Sequence, residues 1–273
     1  MKAIKHWKVI LGALIGIIPS VFLVHYILAS SPVTDSFTDT SKIASNENLT
    51  VDTGNGNVKL ALSLDFTCGD TFTDTRDSQT YATVLISGQC WMAKNMNVGT
   101  KVTGVTTQGI SCASAAAINK YCYSDSDANC TTYGGLYQWD QAMCSSTTAG
   151  AQGICPVGWH IPTHDQFTTL ERAVCSSGTC ATDFPLDTTT TGYRGTNEGT
   201  SLKSGGASGF AGLLAGYRDT NGSFGNVGSG TLFWSSVQSS ASAWSRNLVS
   251  GEARVNRNPD AKANGFSVRC LKD

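Results

Sequence analysis

The chain has 273 residues, 19 of them basic and 20 acidic, with 40% hydrophobic residues and ten cysteines. That length and apolar content suffice for a full hydrophobic core. A formal charge of −1 without a basic stripe excludes the electrostatic footprint of a nucleic-acid binder, so no nucleic-acid partner is expected.

The first predicted element is an apolar run, Val9 to Ala29, with no acid and no Lys or Arg. A span of this length covers a hydrocarbon core of ~30 Å. Lys2, Lys5 and Lys8 flank its N-terminal side, which predicts a cytoplasmic N-terminus. The run is longer than a typical signal-peptide core and Ile27 fits poorly before a cut after Ala29, so a retained anchor over residues 1–29 is favoured over a cleaved signal. In either case the remainder is exported: anchored at the cell surface, or secreted if cut. Beyond the run, 16 basic residues stand against 20 acidic ones, since three of the 19 precede it.

Residues 30–60 read as a polar stalk. Ser, Thr, Asp and Asn dominate 30–48, and a short hairpin is expected around Gly54-Asn55-Gly56. From residue 61 to 273 a single Gly-, Ser- and Thr-rich domain follows. Alternation predicts strands over 79–86, 231–237, 242–249, 252–257 and 265–271. Helical spacing predicts helices over 133–143, through Leu136, Trp139 and Met143, and over 163–174, through Phe167, Leu170 and Val174.

The second helix decides how "GICPVGWHIPTHDQF" (153–167) is read. His160 and His164 stand four apart, a spacing that can grip zinc on one helix face. Thr163 with Gln166 forms a capping-box signature, and Pro162 disfavours helix before it. His160 is therefore expected in an extended segment and His164 in the first helical turn, with Trp159 packed inward and no shared metal.

All ten cysteines lie beyond residue 67, and an even number in an exported chain predicts five disulfides. Spacing alone leaves on the order of 900 pairings. The Cys175/Cys180 spacing is not that of a thioredoxin-like motif, so a loop staple is expected there.

Two Asx-rich turns resemble oxygen-ligand loops: Asp125, Asp127 and Asn129, and Asp219 with Asn221 and Gly222. Neither completes the twelve-residue calcium pattern, so no cofactor is expected, with calcium the candidate at these turns, and the 125–129 stretch is read first as a turn between Cys122 and Cys130. The stretch from Asn221 to Asn264 mixes Gly and Ser with aromatic, Arg and Asn residues. Trp244, Arg246, Asn247, Arg254, Asn256, Arg257 and Asn258 are the candidate ligand-binding residues, since planar and aromatic side chains on a rigid sheet give contact area at low entropic cost. Trp234 is read as core. No nucleophile elbow, HExxH or P-loop occurs, and no catalytic residue is assigned.

Six segments, "TRDSQTYATVLISGQCWMAKNMNVGT", "YCYSDSDANCTTYGGLYQWDQAM", "GICPVGWHIPTHDQF", "FAGLLAGYRDTNGSF", "FWSS" and "GFSVRCLKD", resemble in the same order the Fibrobacter succinogenes major paralogous domain family, over residues 68 to 273. The resemblance implies an α+β domain of the C-type lectin-like fold, whose N- and C-terminal strands pair and whose irregular loop region carries a binding surface. It also implies the disulfide pairing: Cys155 with Cys270 as the main bridge, Cys122 with Cys130, Cys175 with Cys180, Cys68 with Cys90, and Cys112 with Cys144. The expected function is non-catalytic recognition of an extracellular glycan or surface protein in adhesion. The alternatives are a structural envelope or appendage component that self-associates, and an oxidase resembling the formylglycine-generating enzymes, which use a copper-bound cysteine pair.

Overall fold

The computed structural model describes residues 47–52, 59–64 and 66–273. The anchor read at 9–29 and the stalk through residue 46 lie outside the described residues. Among the described residues no helix is long and apolar enough to cross a membrane. The chain divides into two units, residues 1–65 and 66–273. In the first, β1 (Glu47–Asp52) pairs antiparallel with β2 (Lys59–Leu64), Asp52 facing Lys59, over the stretch read as a hairpin.

The second unit is a mixed α+β domain. Its N-terminal strands are β3 (Thr71–Asp74), β4 (Gln79–Ile86) and β5 (Gln89–Met92). In β4, Tyr81, Thr83 and Ile86 are buried while Thr80, Ala82 and Leu85 are exposed, close to the alternation that predicted it. Ser87 (φ 50°) and Gly88 (φ 78°) link it to β5 through a two-residue turn, whose positive φ values match the twist of a hairpin. Next come a parallel pair, β6 (Thr100–Lys101) with β7 (Asn119–Lys120), and the helices α1 (Asp127–Tyr133) and α2 (Trp139–Ala142). β8 (Trp159–His160), α3 (His164–Val174), α4 (Cys180–Asp183), β9 (Gly192–Arg194) and α5 (Glu198–Leu202) follow. The chain closes with β10 (Ala215–Arg218), β11 (Phe224–Val227), β12 (Gly230–Ser239), β13 (Ser242–Val249), β14 (Val255–Ala261) and β15 (Leu271–Lys272). Two sheets carry the domain, ordered β3-β4-β5-β15-β8 and β11-β10-β12-β13-β14-β9.

The segment 265–272 joins the two sheets. Rather than one strand over 265–271, it makes single bridges at Gly265, Phe266 and Ser267 before β15, which pairs with both β5 and β8. Its backbone bonds are shared among several partners: Phe266 with Tyr137, Ser267 with Leu232 and Trp234, and Cys270 with Met92. No single neighbour offers it a continuous ladder. The buried Arg269 fixes this segment, donating to Asn95 Oδ1 (2.5 Å), Met92 O (3.0 Å), Ala211 O (2.8 Å) and Phe210 O, with its guanidinium 4.6 Å from the Phe210 ring centre. Full burial without a carboxylate partner pulls its pKa down to about 9.

The helix expected over 133–143 is corrected. Gly134 (φ 84°) ends α1, and a side chain there would come within 2.7 Å of the Asn95 Cβ. Leu136 and Tyr137 are extended and bridge Tyr121 and Phe266, so only Trp139–Ala142 is helical. The turn expected at 125–129 is corrected too, because α1 begins at Asp127. The strand expected at 252–257 lies at Val255–Ala261. By contrast α3 starts where its signature placed it: Gln166 N donates to Thr163 Oγ1 (3.1 Å) and Thr163 N to Gln166 Oε1 (2.8 Å). His160 sits in β8 and His164 opens α3.

Two apolar clusters form the core. One gathers Tyr81, Tyr137, Trp139, Trp159, Trp234 and Phe266; the other joins Trp91 and Phe210 to Phe167 and Leu170 of α3 and to Phe233, Leu248 and Val255 of the larger sheet. Five disulfides complete it: Cys68–Cys90, Cys112–Cys144, Cys122–Cys130, Cys155–Cys270 and Cys175–Cys180, the pairs the resemblance implies. No cysteine is free.

Candidate functional site: two faces of the β13–β14 ribbon

The candidate residues on β13 and β14 divide by the two-residue period of a strand. Register pairs Asn247 with Asn256 and Ser245 with Asn258, and Asn256 in turn with Tyr193 of β9. Directly opposed residues share a face, so Asn247, Asn256 and Tyr193 form a row across three strands with Asn258 beside it. These four are partly or well exposed. Arg254, just ahead of β14, is exposed and sets its guanidinium 5.1 Å from the Tyr193 ring centre. It is held by a forked contact with Glu252 (2.9 and 2.7 Å), and that contact draws the Glu252 carboxyl down to about 2.

Trp244, Arg246 and Arg257 point the other way, which corrects their assignment to the surface. Trp244 and Arg246 are 2% exposed and Arg257 is 0% exposed. Arg246 lies directly opposite Arg257, a cross-strand pairing of like charges that is unfavourable by itself. Helix α3 resolves it. His164, Thr168 and Glu171 follow one another at four- and three-residue steps on the buried face that also carries Phe167 and Leu170. Arg246 Nε donates to Glu171 Oε1, and Arg257 Nε stands 3.9 Å from Glu171 Oε2. Arg246 also donates to the His164 carbonyl (3.1 Å), and Arg257 to Thr168 Oγ1 (3.2 Å) and the Pro185 carbonyl (3.2 Å). A cavity of about 10 Å³ beside Glu171 and Arg246 has room for one water and no ligand. The cluster therefore joins helix to sheet and is out of reach of an external partner.

His164 stands between the two guanidiniums, with Trp244 edge-on at 4.4 Å. Burial and the two positive neighbours drive its pKa down to about 3. It is thus neutral in the fold and can accept from a guanidinium only on the ring nitrogen that carries no proton. The unfolded chain takes up this proton near pH 6.5 and the folded chain refuses it until about pH 3, so acidification across that window favours unfolding. Urea midpoints are expected to fall from pH 6.5 toward pH 3 in the native protein and to fall less in His164→Gln. Parallel pH profiles would contradict this.

In the two Asx-rich turns several of the side-chain oxygens are engaged within the protein. Asp125 Oδ1 accepts from Gly104 N (2.8 Å), Asp127 Oδ2 pairs with Lys101 Nζ (2.7 Å), and Asn129 Nδ2 donates to Tyr123 O (2.8 Å). Asp219 Oδ1 and Asn221 Oδ1 accept from Thr220 and Ser223. Among the described residues no three His, Cys, Asp or Glu side chains converge as metal ligands.

Sequence reading missed Glu171, Thr168 and Tyr193. The first two carried a signal, since polar residues at 164, 168 and 171 share the helical stripe of Phe167 and Leu170. Tyr193 carried none, because it is brought to the row only by strand pairing.

In comparisons with known proteins, the family model described as Fibrobacter succinogenes major domain matches residues 84–272. No curated protein and no solved structure matches the chain.

Proposed function

The chain belongs to the Fibrobacter succinogenes major domain family, and from that premise we propose that it is a cell-surface protein that holds an extracellular glycan or surface protein without acting on it. In this reading residues 9–29 anchor it in the membrane and the disulfide-stapled body has a C-type lectin-like architecture. The pairing of β15 with β5 and the Cys155–Cys270 bridge support that architecture. The observation that carries the binding role is the row of Asn247, Asn256 and Tyr193, with Asn258 and the Tyr193-stacked Arg254 beside it. Asn256, Asn258, Tyr193 and Arg254 offer flat amide, phenol and guanidinium groups, beside Asn247 whose amide oxygen is buried, on a sheet whose opposite face is locked to α3, so little freedom is lost on binding. The pairing of all ten cysteines supports this reading over that of a copper-bound cysteine oxidase.

The test is a screen of the purified full chain against glycan and surface-protein panels, with calcium and again with chelator. Tyr193→Ala/Arg254→Ala/Asn256→Ala is expected to weaken the bound ligand at least about tenfold with an unchanged thermal midpoint. Full binding by this variant would move the site off the face. Loss of binding on chelation in a protein that stays folded would bring in the Asp125–Asn129 turn, and silence on every panel would favour a structural, self-associating component.

A further inference from the structure

A second polar opening lies away from this face. Beside the β6–β7 pair is a cleft of about 250 Å³ lined by Asp77, Gln79, Asn97, Thr100 and Lys120, with Gly99 and two alanines leaving it unfilled. Gly99 is required there: its φ is 108°, and a Cβ would stand 2.5 Å from the Ile118 carbonyl oxygen.

Lys120 is the distinctive group. Its half-buried ammonium donates to the Asn97 backbone carbonyl and to Asn97 Oδ1 (2.9 Å). Among the described residues no carboxylate lies within ion-pair distance of it. Burial lowers its pKa, only partly offset by the more distant Asp77 and Asp127 carboxylates. An ammonium has three N–H donors, so one is left after both Asn97 contacts. Asn97 Nδ2 and the Gln79 side-chain amide have no hydrogen-bond partner among the described residues, while the Gln79 backbone N–H donates to Asp77 Oδ1 (3.0 Å). The Thr100 hydroxyl donates to the Ala116 carbonyl (3.1 Å) and keeps its capacity to accept. The lining thus presents a cation and neighbouring amide donors, with Thr100 and Asp77 as acceptors. That set suits a ligand that combines one carboxylate with hydroxyl groups.

We propose that this cleft is a subsite for the carboxylate of an acidic sugar residue, a hexuronate, with Lys120 as its anion-binding group. A sugar is chosen over a bare carboxylate because Asp77 and Thr100 offer acceptors that a simple anion would not use, and because the volume holds about one small cyclic ligand. The choice of a sugar rests on the glycan reading above, but none of the residues belongs to the β13–β14–β9 face.

The test is titration of the isotope-labelled full chain with glucuronate, glucose and acetate, read by amide resonances. Glucuronate is expected to move Gly99, Thr100 and Lys120 saturably, and glucose is expected to leave them in place. Lys120→Met and Gln79→Glu, the second placing a repelling carboxylate in the cleft without touching the Lys120–Asn97 contacts, are each expected to weaken glucuronate at least about tenfold. Should Lys120→Met fail to fold, Gln79→Glu decides alone. Absence of saturable glucuronate shifts, or native affinity in the folded variants, would overturn the proposal. Acetate binding as tightly as glucuronate would overturn the sugar assignment. The Tyr193/Arg254/Asn256 triple variant is expected to bind glucuronate normally here, so failure at either site is read apart from failure at the other.

Discussion

Glu171→Ala is expected to destabilise the domain by about 3 to 5 kcal/mol, the range for removing one partner of a buried ion pair. The cost comes less from the lost contact than from what remains: Arg246 and Arg257 would face each other across β13 and β14, both buried, with no carboxylate between them. Neither can swing out to water, because α3 covers that side of the sheet. The check is urea denaturation of native protein, Glu171→Ala, Arg246→Met and the double variant. The double is expected to lose less than the sum of the singles, since the Arg246–Glu171 contact is counted in both, while Arg257 lacks its carboxylate in either variant without Glu171. A loss below ~1 kcal/mol for Glu171→Ala would show that the carboxylate does not hold the arginines together.

Removing the Cys155–Cys270 bridge, as Cys155→Ala/Cys270→Ala, is expected to cost about 5 kcal/mol. The bridge closes 115 residues, and the stabilisation from confining the unfolded chain grows with the logarithm of that span. Cys175→Ala/Cys180→Ala, which opens a separation of only 5 residues, is expected to cost about 2 kcal/mol by the same reasoning. Denaturation midpoints of the two double variants, compared under non-reducing conditions, test the ordering. Equal losses would mean that local packing, rather than chain confinement, sets the worth of each bridge.

Much of the scaffold was legible where a local rule dominates. The strand 79–86 coincides with β4, because alternation is imposed by one covered face, whereas β13 coincides with 242–249 although Ala243–Arg246 are all buried. α3 was fixed by its cap. What failed depended on partners distant in the chain. Helical spacing at 133–143 ignored Gly134, whose conformation is demanded by close contact with Asn95. α1, built of Asp, Asn, Cys and Thr, has little intrinsic helix preference and is clamped by Cys122–Cys130. Arg246 and Arg257 were placed at the surface because arginine is seldom buried unpaired, and their counter-charge lies on a helix some 75 residues earlier. The amide row was half visible: Asn247, Asn256 and Asn258 were in the candidate set, but only register separates them from their buried neighbours.

That separation has a consequence for how such a protein can change over generations. Along β14 the residues that hold the fold, Val255 and Arg257, alternate with those that face outward, Asn256 and Asn258. The same segment is thus read twice, once by the core and once by whatever lies outside. Outward positions can be rewritten one after another, yielding altered recognition, while the inward set keeps the same architecture standing.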